Sequence, residues 1–244
     1  MSDIKQIGTY WEADENGFIE SIFSVNNIHS DNKKLVEYFV SKAIEYYTDN
    51  IHSLYVRGSI LTNPELQSDF DKDFIVVLYE NDNWSYFVER YDNFISTLDS
   101  NINFDISLYS TNNFVLDRKF NSLCLYGNDV SVRKVNIKNL VNDTYTASNK
   151  YNILKTILLN TKESVDLNNN LRRDCKKIIR LAMLSVSLKL NKYTKDLYYC
   201  CKFYEEYYPQ YGKQMWDVLD LYLNPNKYDK LILYTAIDAL LSGE

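Results

Sequence analysis

The sequence predicts an α+β protein, in which a small mixed sheet flanked by helices is followed by an all-α helical bundle. Three observations predict this class. The 244 residues include only 6 Gly and 3 Pro, so few residues interrupt helices. Strand-like apolar runs stop before residue 140, and helical periodicity replaces them. We therefore predict one domain over residues 1–140 and a helical bundle domain over residues 141–244.

The first domain is predicted to contain both helices and strands. Apolar residues at helical spacing follow Asp31, a suitable N-cap, and predict a helix that ends near Thr48. Extended segments are predicted over 53–59, 71–80, 102–110 and 122–132, with a second amphipathic helix over 84–98. The unbroken apolar run Phe74–Leu78 is rich in β-branched residues, which is typical of a strand inside a sheet.

The second domain is predicted to consist of helices over 146–160, 165–191, 195–207, 212–223 and 228–241. No apolar run reaches the roughly 18–20 residues of a membrane span, and the first residues do not form a secretory signal. The four cysteines have no metal-ligand spacing, so zinc is not expected. We expect a cytoplasmic protein with reduced cysteines and no membrane partner.

The net charge of -6 disfavours non-specific attraction to a nucleic-acid backbone, so nucleic acid is not an expected partner. One basic flank is nevertheless predicted on the long helix, formed by Arg172, Arg173, Lys176, Lys177 and Arg180. The ordinary interpretation of such a flank is a solvated face. The functional alternative is that one or two of its cations, with Lys177 as our candidate, bind an anionic ligand.

Three carboxylates are the main chemical signal. Asp71 and Asp73 are two residues apart at the start of a strand, so their side chains lie on the same face. Asp105 lies in the next strand between apolar neighbours, where an aspartate is unfavourable unless a partner compensates its charge. Carboxylates that converge from neighbouring strands suit Mg²⁺, which commonly shares its coordination shell with phosphates. Two such ions can serve phosphoryl or nucleotidyl transfer.

A Gly-Ser pair upstream completes the candidate site. Gly58 and Ser59 follow a predicted strand, and a glycine there lets backbone N–H groups and the serine hydroxyl approach a triphosphate. Arg57, immediately before the glycine, is a further candidate for the triphosphate.

Residues 58–77, GSILTNPELQSDFDKDFIVV, resemble the Gly-Ser, spacer, Asp-x-Asp signature of nucleotidyltransferases of the DNA polymerase beta-like superfamily, with Asp105 as the third carboxylate. The helical half is similar to the C-terminal bundles of aminoglycoside nucleotidyltransferases. The resemblance implies transfer of a nucleoside monophosphate, AMP by preference, from an NTP donor such as ATP to an acceptor hydroxyl. Two Mg²⁺ ions would be held by Asp71, Asp73 and Asp105, and triphosphate oxygens by Gly58 and Ser59.

Several alternatives stay open. Ser68-Asp69-Phe70-Asp71 also fits the family's motif, so the metal pair is either Asp71 and Asp73 or Asp69 and Asp71. We prefer Asp71 and Asp73, because an apolar strand follows them at once. A small acceptor such as an aminoglycoside-like antibiotic is favoured, with antibiotic resistance as the context, over a protein or RNA acceptor. The tyrosine-rich stretch 193–211 and the pair Glu205-Glu206 are candidates for its pocket.

A rival function of another class is a catalytically degenerate nucleotide-binding or antitoxin-like interaction protein. The spacer ILTNPELQS lacks the glycine that many relatives carry after the Gly-Ser pair, which keeps this alternative open. The oligomeric state is not determined by the sequence, and a homodimer is one option.

Overall fold

The computed structural model describes residues 8–62, 72–79, 84–144, 147–163, 167–227 and 229–243. The chain divides into two compact units. One unit is Glu20–Lys134, and the other joins Met1–Ile19 to Val135–Glu244. The boundary on the C-terminal side of the sheet therefore lies at residues 134–135, and residues up to Ile19 belong with the helical unit.

A four-stranded mixed sheet forms the centre of the Glu20–Lys134 unit. Two short strands, β1 (Trp11–Glu12) and β2 (Phe18–Glu20), come earlier in the chain. The strands of the sheet are β3 (Ile51–Arg57), β4 (Lys72–Leu78), β5 (Phe104–Ser110) and β6 (Ser122–Gly127), in the order β5-β4-β3-β6. Strands β4 and β5 are parallel, whereas β3 is antiparallel to both β4 and β6. The predicted small mixed sheet is confirmed, and the apolar run that starts at Phe74 lies fully buried in an inner strand.

Helices cover one face of this sheet. Helix α1 (Ser30–Tyr47) packs there through Phe39, whose ring stacks on that of Phe74 with centroids 3.9 Å apart. A short helix, α2 (Ser59–Thr62), follows β3. The segment predicted as one helix over 84–98 forms two, α3 (Trp84–Glu89) and α4 (Tyr91–Ser96). Another short helix, α5 (Leu116–Phe120), precedes β6. Because neighbouring residues of a strand face opposite sides, Asp73 lies on the face that α1 does not cover.

The helical unit contains the predicted bundle. Its helices are α6 (Ile137–Thr144), α7 (Ala147–Glu163), α8 (Leu167–Leu190), α9 (Leu197–Tyr207), α10 (Pro209–Leu223) and α11 (Lys230–Ser242). All but the first were predicted. The apolar side chains of the last five helices share one core, whose centre includes Cys175, Ile179, Met183, Cys200 and Met215. No helix in the described ranges is long and apolar enough to cross a membrane.

The N-terminal segment packs on this bundle by strand pairing. Trp11–Glu12 pairs antiparallel with Lys192–Tyr193, and the rings of Trp11 and Tyr193 lie 5.9 Å apart. Next to this pair, the half-buried carboxylate of Asp196 accepts a hydrogen bond of 2.5 Å from the backbone N–H of Thr9. These contacts are why the first residues belong to the helical unit, although the sequence analysis assigned them to the first domain.

Candidate active site

The main chain turns sharply where β3 ends. Gly58 follows Arg57 with φ of +70°, in the left-handed region that residues with a side chain rarely adopt. A Cβ atom built on Gly58 would overlap Oδ2 of Asp73 and lie 3.1 Å from its Cγ. A glycine is therefore required here for two reasons, the backbone angle and the close approach of a carboxylate. Ser59 follows, half-buried, as the first residue of the next helix.

Asp73 and Asp105 lie directly opposite each other on neighbouring strands. They are register partners in the parallel pair β4 and β5, so both side chains lie on the same face of the sheet. Neighbouring strands are about 4.8 Å apart, which brings the two carboxylates within reach of one shared cation. Asp73 is half-buried and Asp105 is exposed. The predicted convergence of these two aspartates is therefore present in the fold.

Arg57 forms an ion pair with Asp73. Its guanidinium donates from Nη2 to Oδ1 of Asp73 at 3.0 Å, and the two side chains are only 16% and 20% exposed. One carboxylate oxygen thus faces Arg57, while the other lies against Gly58. Sequence analysis selected Arg57 for the triphosphate but did not predict this pairing, which depends on the register between β3 and β4.

Tyr109 is a further residue of this face. It lies four residues after Asp105 on β5, and a strand repeats every two residues, so the same periodicity identifies it. Burial raises the pKa of Tyr109, the nearby positive charge of Arg57 lowers it, and Asp117 and Asp105 raise it. The phenol therefore lies among the charges of the site, where its hydroxyl shares a hydrogen bond with Ser107. Beyond it, Phe114 packs against the rings of Tyr55 and Tyr109.

Two of the predicted metal ligands, Asp71 and the alternative Asp69, lie outside the described residues. Among the residues that the structure does describe, no three His, Cys, Asp or Glu side chains cluster as a metal site. The described part of the carboxylate set is thus the pair Asp73 and Asp105. Carboxylate oxygens are the ligands that Mg²⁺ prefers, so this donor set fits the predicted ion.

The remaining candidates lie in the helical unit. Lys177 is on α8, half-buried, with Nζ 3.9 Å from Oδ1 of the buried Asp174. Glu205 accepts a hydrogen bond of 2.9 Å from the indole N–H of Trp216, and Glu206 pairs with Lys192 at 3.4 Å. Both glutamates therefore already have partners within their own unit.

Several tyrosines of the stretch 193–211 pack inside the helical bundle. Tyr193 and Tyr204 are fully buried, and the hydroxyl of Tyr204 donates to the carbonyl of Ala239 at 3.2 Å. Tyr198 stacks edge-on against Trp216 and Tyr207 remains exposed. Bundle packing therefore accounts for the most buried of these rings.

Comparison with known proteins finds a likeness among solved structures. No protein-family model matches the chain, and no curated protein does. Among solved structures, the chain is similar to spectinomycin adenyltransferase AAD(9) from Enterococcus faecialis, in a crystal structure with ATP and spectinomycin. The TM-score is 0.51 at 13% sequence identity, and the match covers 86% of this chain and 100% of that one. The chain thus shares the fold of this adenyltransferase, and the predicted α+β class is confirmed.

Proposed function

We propose that this chain is a metal-dependent nucleotidyltransferase that moves AMP from ATP to a hydroxyl group of a small acceptor. The observation that carries the proposal is the register pair of Asp73 and Asp105, with the left-handed Gly58 packed against Asp73. A cation can bind the two carboxylates, and a phosphate chain can bind next to it at the glycine turn. The shared fold with an adenyltransferase supports the same reaction class.

Each residue has a part in this reaction. Asp73 and Asp105 would hold Mg²⁺, together with Asp71. When bound, Mg²⁺ neutralises charge on the triphosphate and on the leaving pyrophosphate. Gly58 lets the main chain approach the phosphates, and the Ser59 hydroxyl donates a hydrogen bond to them. The acceptor hydroxyl releases its proton to solvent, and its oxygen bonds to the α-phosphorus as the bond from that phosphorus to pyrophosphate breaks.

The choice of ATP and of a small acceptor depends on the solved relative, whose crystal structure holds ATP and spectinomycin. The net charge of -6 is consistent with this choice, because an acidic protein attracts a cationic small molecule more readily than an RNA end. An aminoglycoside-like antibiotic is the first acceptor class to screen.

Calorimetric titration with ATP, GTP, CTP and UTP, with and without Mg²⁺, tests the donor site. We expect Mg²⁺-dependent binding of ATP that the double change Asp71→Asn/Asp73→Asn abolishes. Asp69→Asn is the control for the loss of a nearby carboxylate, since it removes one negative charge two residues before Asp71 and should leave binding intact. A folded protein that binds no nucleotide would refute the proposal. Pyrophosphate release in an acceptor screen then tests the transfer itself.

A catalytically degenerate nucleotide-binding protein is the second candidate, favoured by one observation. Arg57 compensates the charge of Asp73, so this carboxylate has a protein partner that does not depend on a metal. Nucleotide binding that does not respond to Mg²⁺, and no pyrophosphate release with any acceptor, would favour this candidate over the enzyme.

A further inference from the structure

We propose that Arg57 couples metal binding to nucleotide binding. In this proposal, its ion pair with Asp73 weakens the binding of a divalent cation alone, and the triphosphate relieves that effect by accepting the guanidinium. The inference builds on the proposed function, because it assigns Asp73 to the metal. It adds a role for Arg57 that differs from simple phosphate binding.

Both carboxylate oxygens of Asp73 already lie against other groups of the protein. Oδ1 accepts the hydrogen bond from Arg57 at 3.0 Å, and Oδ2 lies against the backbone of Gly58. Both side chains of the ion pair are largely shielded from solvent, with 16% and 20% exposure. A cation that binds Asp73 and Asp105 must therefore share a carboxylate with the guanidinium.

The charges then decide the order of binding. A guanidinium does not lose its proton in a protein, so Arg57 remains positive when a dication arrives. Because the side chains of Arg57 and Asp73 are shielded from solvent, the repulsion between Arg57 and the dication is stronger than it would be at an open surface. A triphosphate attracts Arg57 where a dication repels it, because the phosphate oxygens accept charge-assisted hydrogen bonds from the guanidinium N–H groups. Metal and nucleotide therefore bind more tightly together than either does alone.

Such coupling is reciprocal. If the nucleotide raises the metal affinity by a given factor, the metal raises the nucleotide affinity by the same factor. Removal of the Arg57 charge should have two opposite effects, tighter binding of metal alone and a smaller coupling factor. A residue that only held the phosphates would weaken nucleotide binding and leave the affinity for metal alone unchanged.

Electron paramagnetic resonance of free Mn²⁺ measures the first effect without nucleotide or turnover. We expect Arg57→Gln and Arg57→Met to bind Mn²⁺ alone about tenfold more tightly than the wild type, the loss of one charge-assisted contact at Asp73 being the cause. Arg57→Lys keeps the charge and should stay near the wild-type affinity. Lys42→Gln is the matched control, because it removes a charge from a surface ion pair on α1, which covers the opposite face.

Repeating the titrations with a non-hydrolysable ATP analogue separates the two ways of failing. In one outcome, the wild type binds Mn²⁺ with nucleotide, but both neutral variants bind Mn²⁺ alone with the wild-type affinity. This outcome would overturn the role of Arg57 and leave the proposed function standing. Absence of Mn²⁺ binding in every folded protein, with and without the analogue, would refute the metal site itself. If Arg57→Gln does not fold, Arg57→Met carries the same test.

Discussion

Replacing Gly58 by alanine should disable the site through one atom. The new Cβ would overlap Oδ2 of Asp73 and lie 3.1 Å from Cγ, so the carboxylate must move by about 1 Å to reach ordinary contact, a displacement that can cost about 100-fold in rate. The backbone adds its own cost, because φ of +70° is disfavoured for alanine by about 1–2 kcal/mol. Asp73 cannot simply swing away, since Arg57 holds its other oxygen.

Gly17→Ala separates these two costs. Gly17 has a similar φ of +79°, but its added Cβ would meet only the side-chain nitrogen of Asn136 at 3.3 Å. Both variants should lose about 2–8 °C in melting temperature, whereas only Gly58→Ala should lose about 100-fold in pyrophosphate release with ATP, Mg²⁺ and an acceptor. Wild-type turnover in Gly58→Ala, or an equal loss in Gly17→Ala, would refute the argument that the carboxylate position matters.

Three further predictions concern single residues. Asp105→Asn keeps the shape but removes a ligand charge, so Mn²⁺ affinity in the presence of nucleotide should fall at least about tenfold, and an unchanged affinity would remove Asp105 from the site. Burial raises the pKa of Asp196, so stability present below the ordinary carboxyl pKa is lost as pH rises through the raised pKa. Asp196→Asn should therefore gain stability relative to the wild type as pH rises above the ordinary carboxyl pKa in urea melts, and a difference that does not change with pH would contradict this. Gly212→Ala should cost about 1–3 kcal/mol in the same assay, because its Cβ would lie 2.5 Å from Cγ of Glu205 in a packed helix pair. Equal stability would show that α9 and α10 separate easily.

Local patterns in the sequence were sufficient to predict most elements of the fold. The run from Phe74 predicts β4 because a strand buried on both faces needs no polar alternation, and the apolar stripe after Asp31 predicts α1. The strand Trp11–Glu12 has no such pattern. Two residues are too short for a period, and their partner Tyr193 lies 182 positions away along the chain, so only the folded bundle defines the pair.

Some features of the candidate site are also predictable from the sequence, and others are not. The aspartates and the Gly-Ser pair are visible as motifs, and a strand repeat of two connects Asp105 to Tyr109. The ion pair of Arg57 and Asp73 is not visible, because it depends on which residues of β3 and β4 lie opposite each other. That register follows from the packing of the whole strand, in which a slip of one residue would turn every buried side chain toward the other face.

The start of β4 bears on which aspartates form the metal pair. The strand begins at Lys72, so Asp73 is its second residue and lies opposite Asp105, the second residue of β5. A pair formed by Asp69 and Asp71 would leave the one carboxylate that faces both Asp105 and Arg57 without a metal role. A pair formed by Asp71 and Asp73 includes this carboxylate. The single changes to asparagine at these three positions should therefore differ, with Asp69→Asn the least damaging to Mn²⁺ binding.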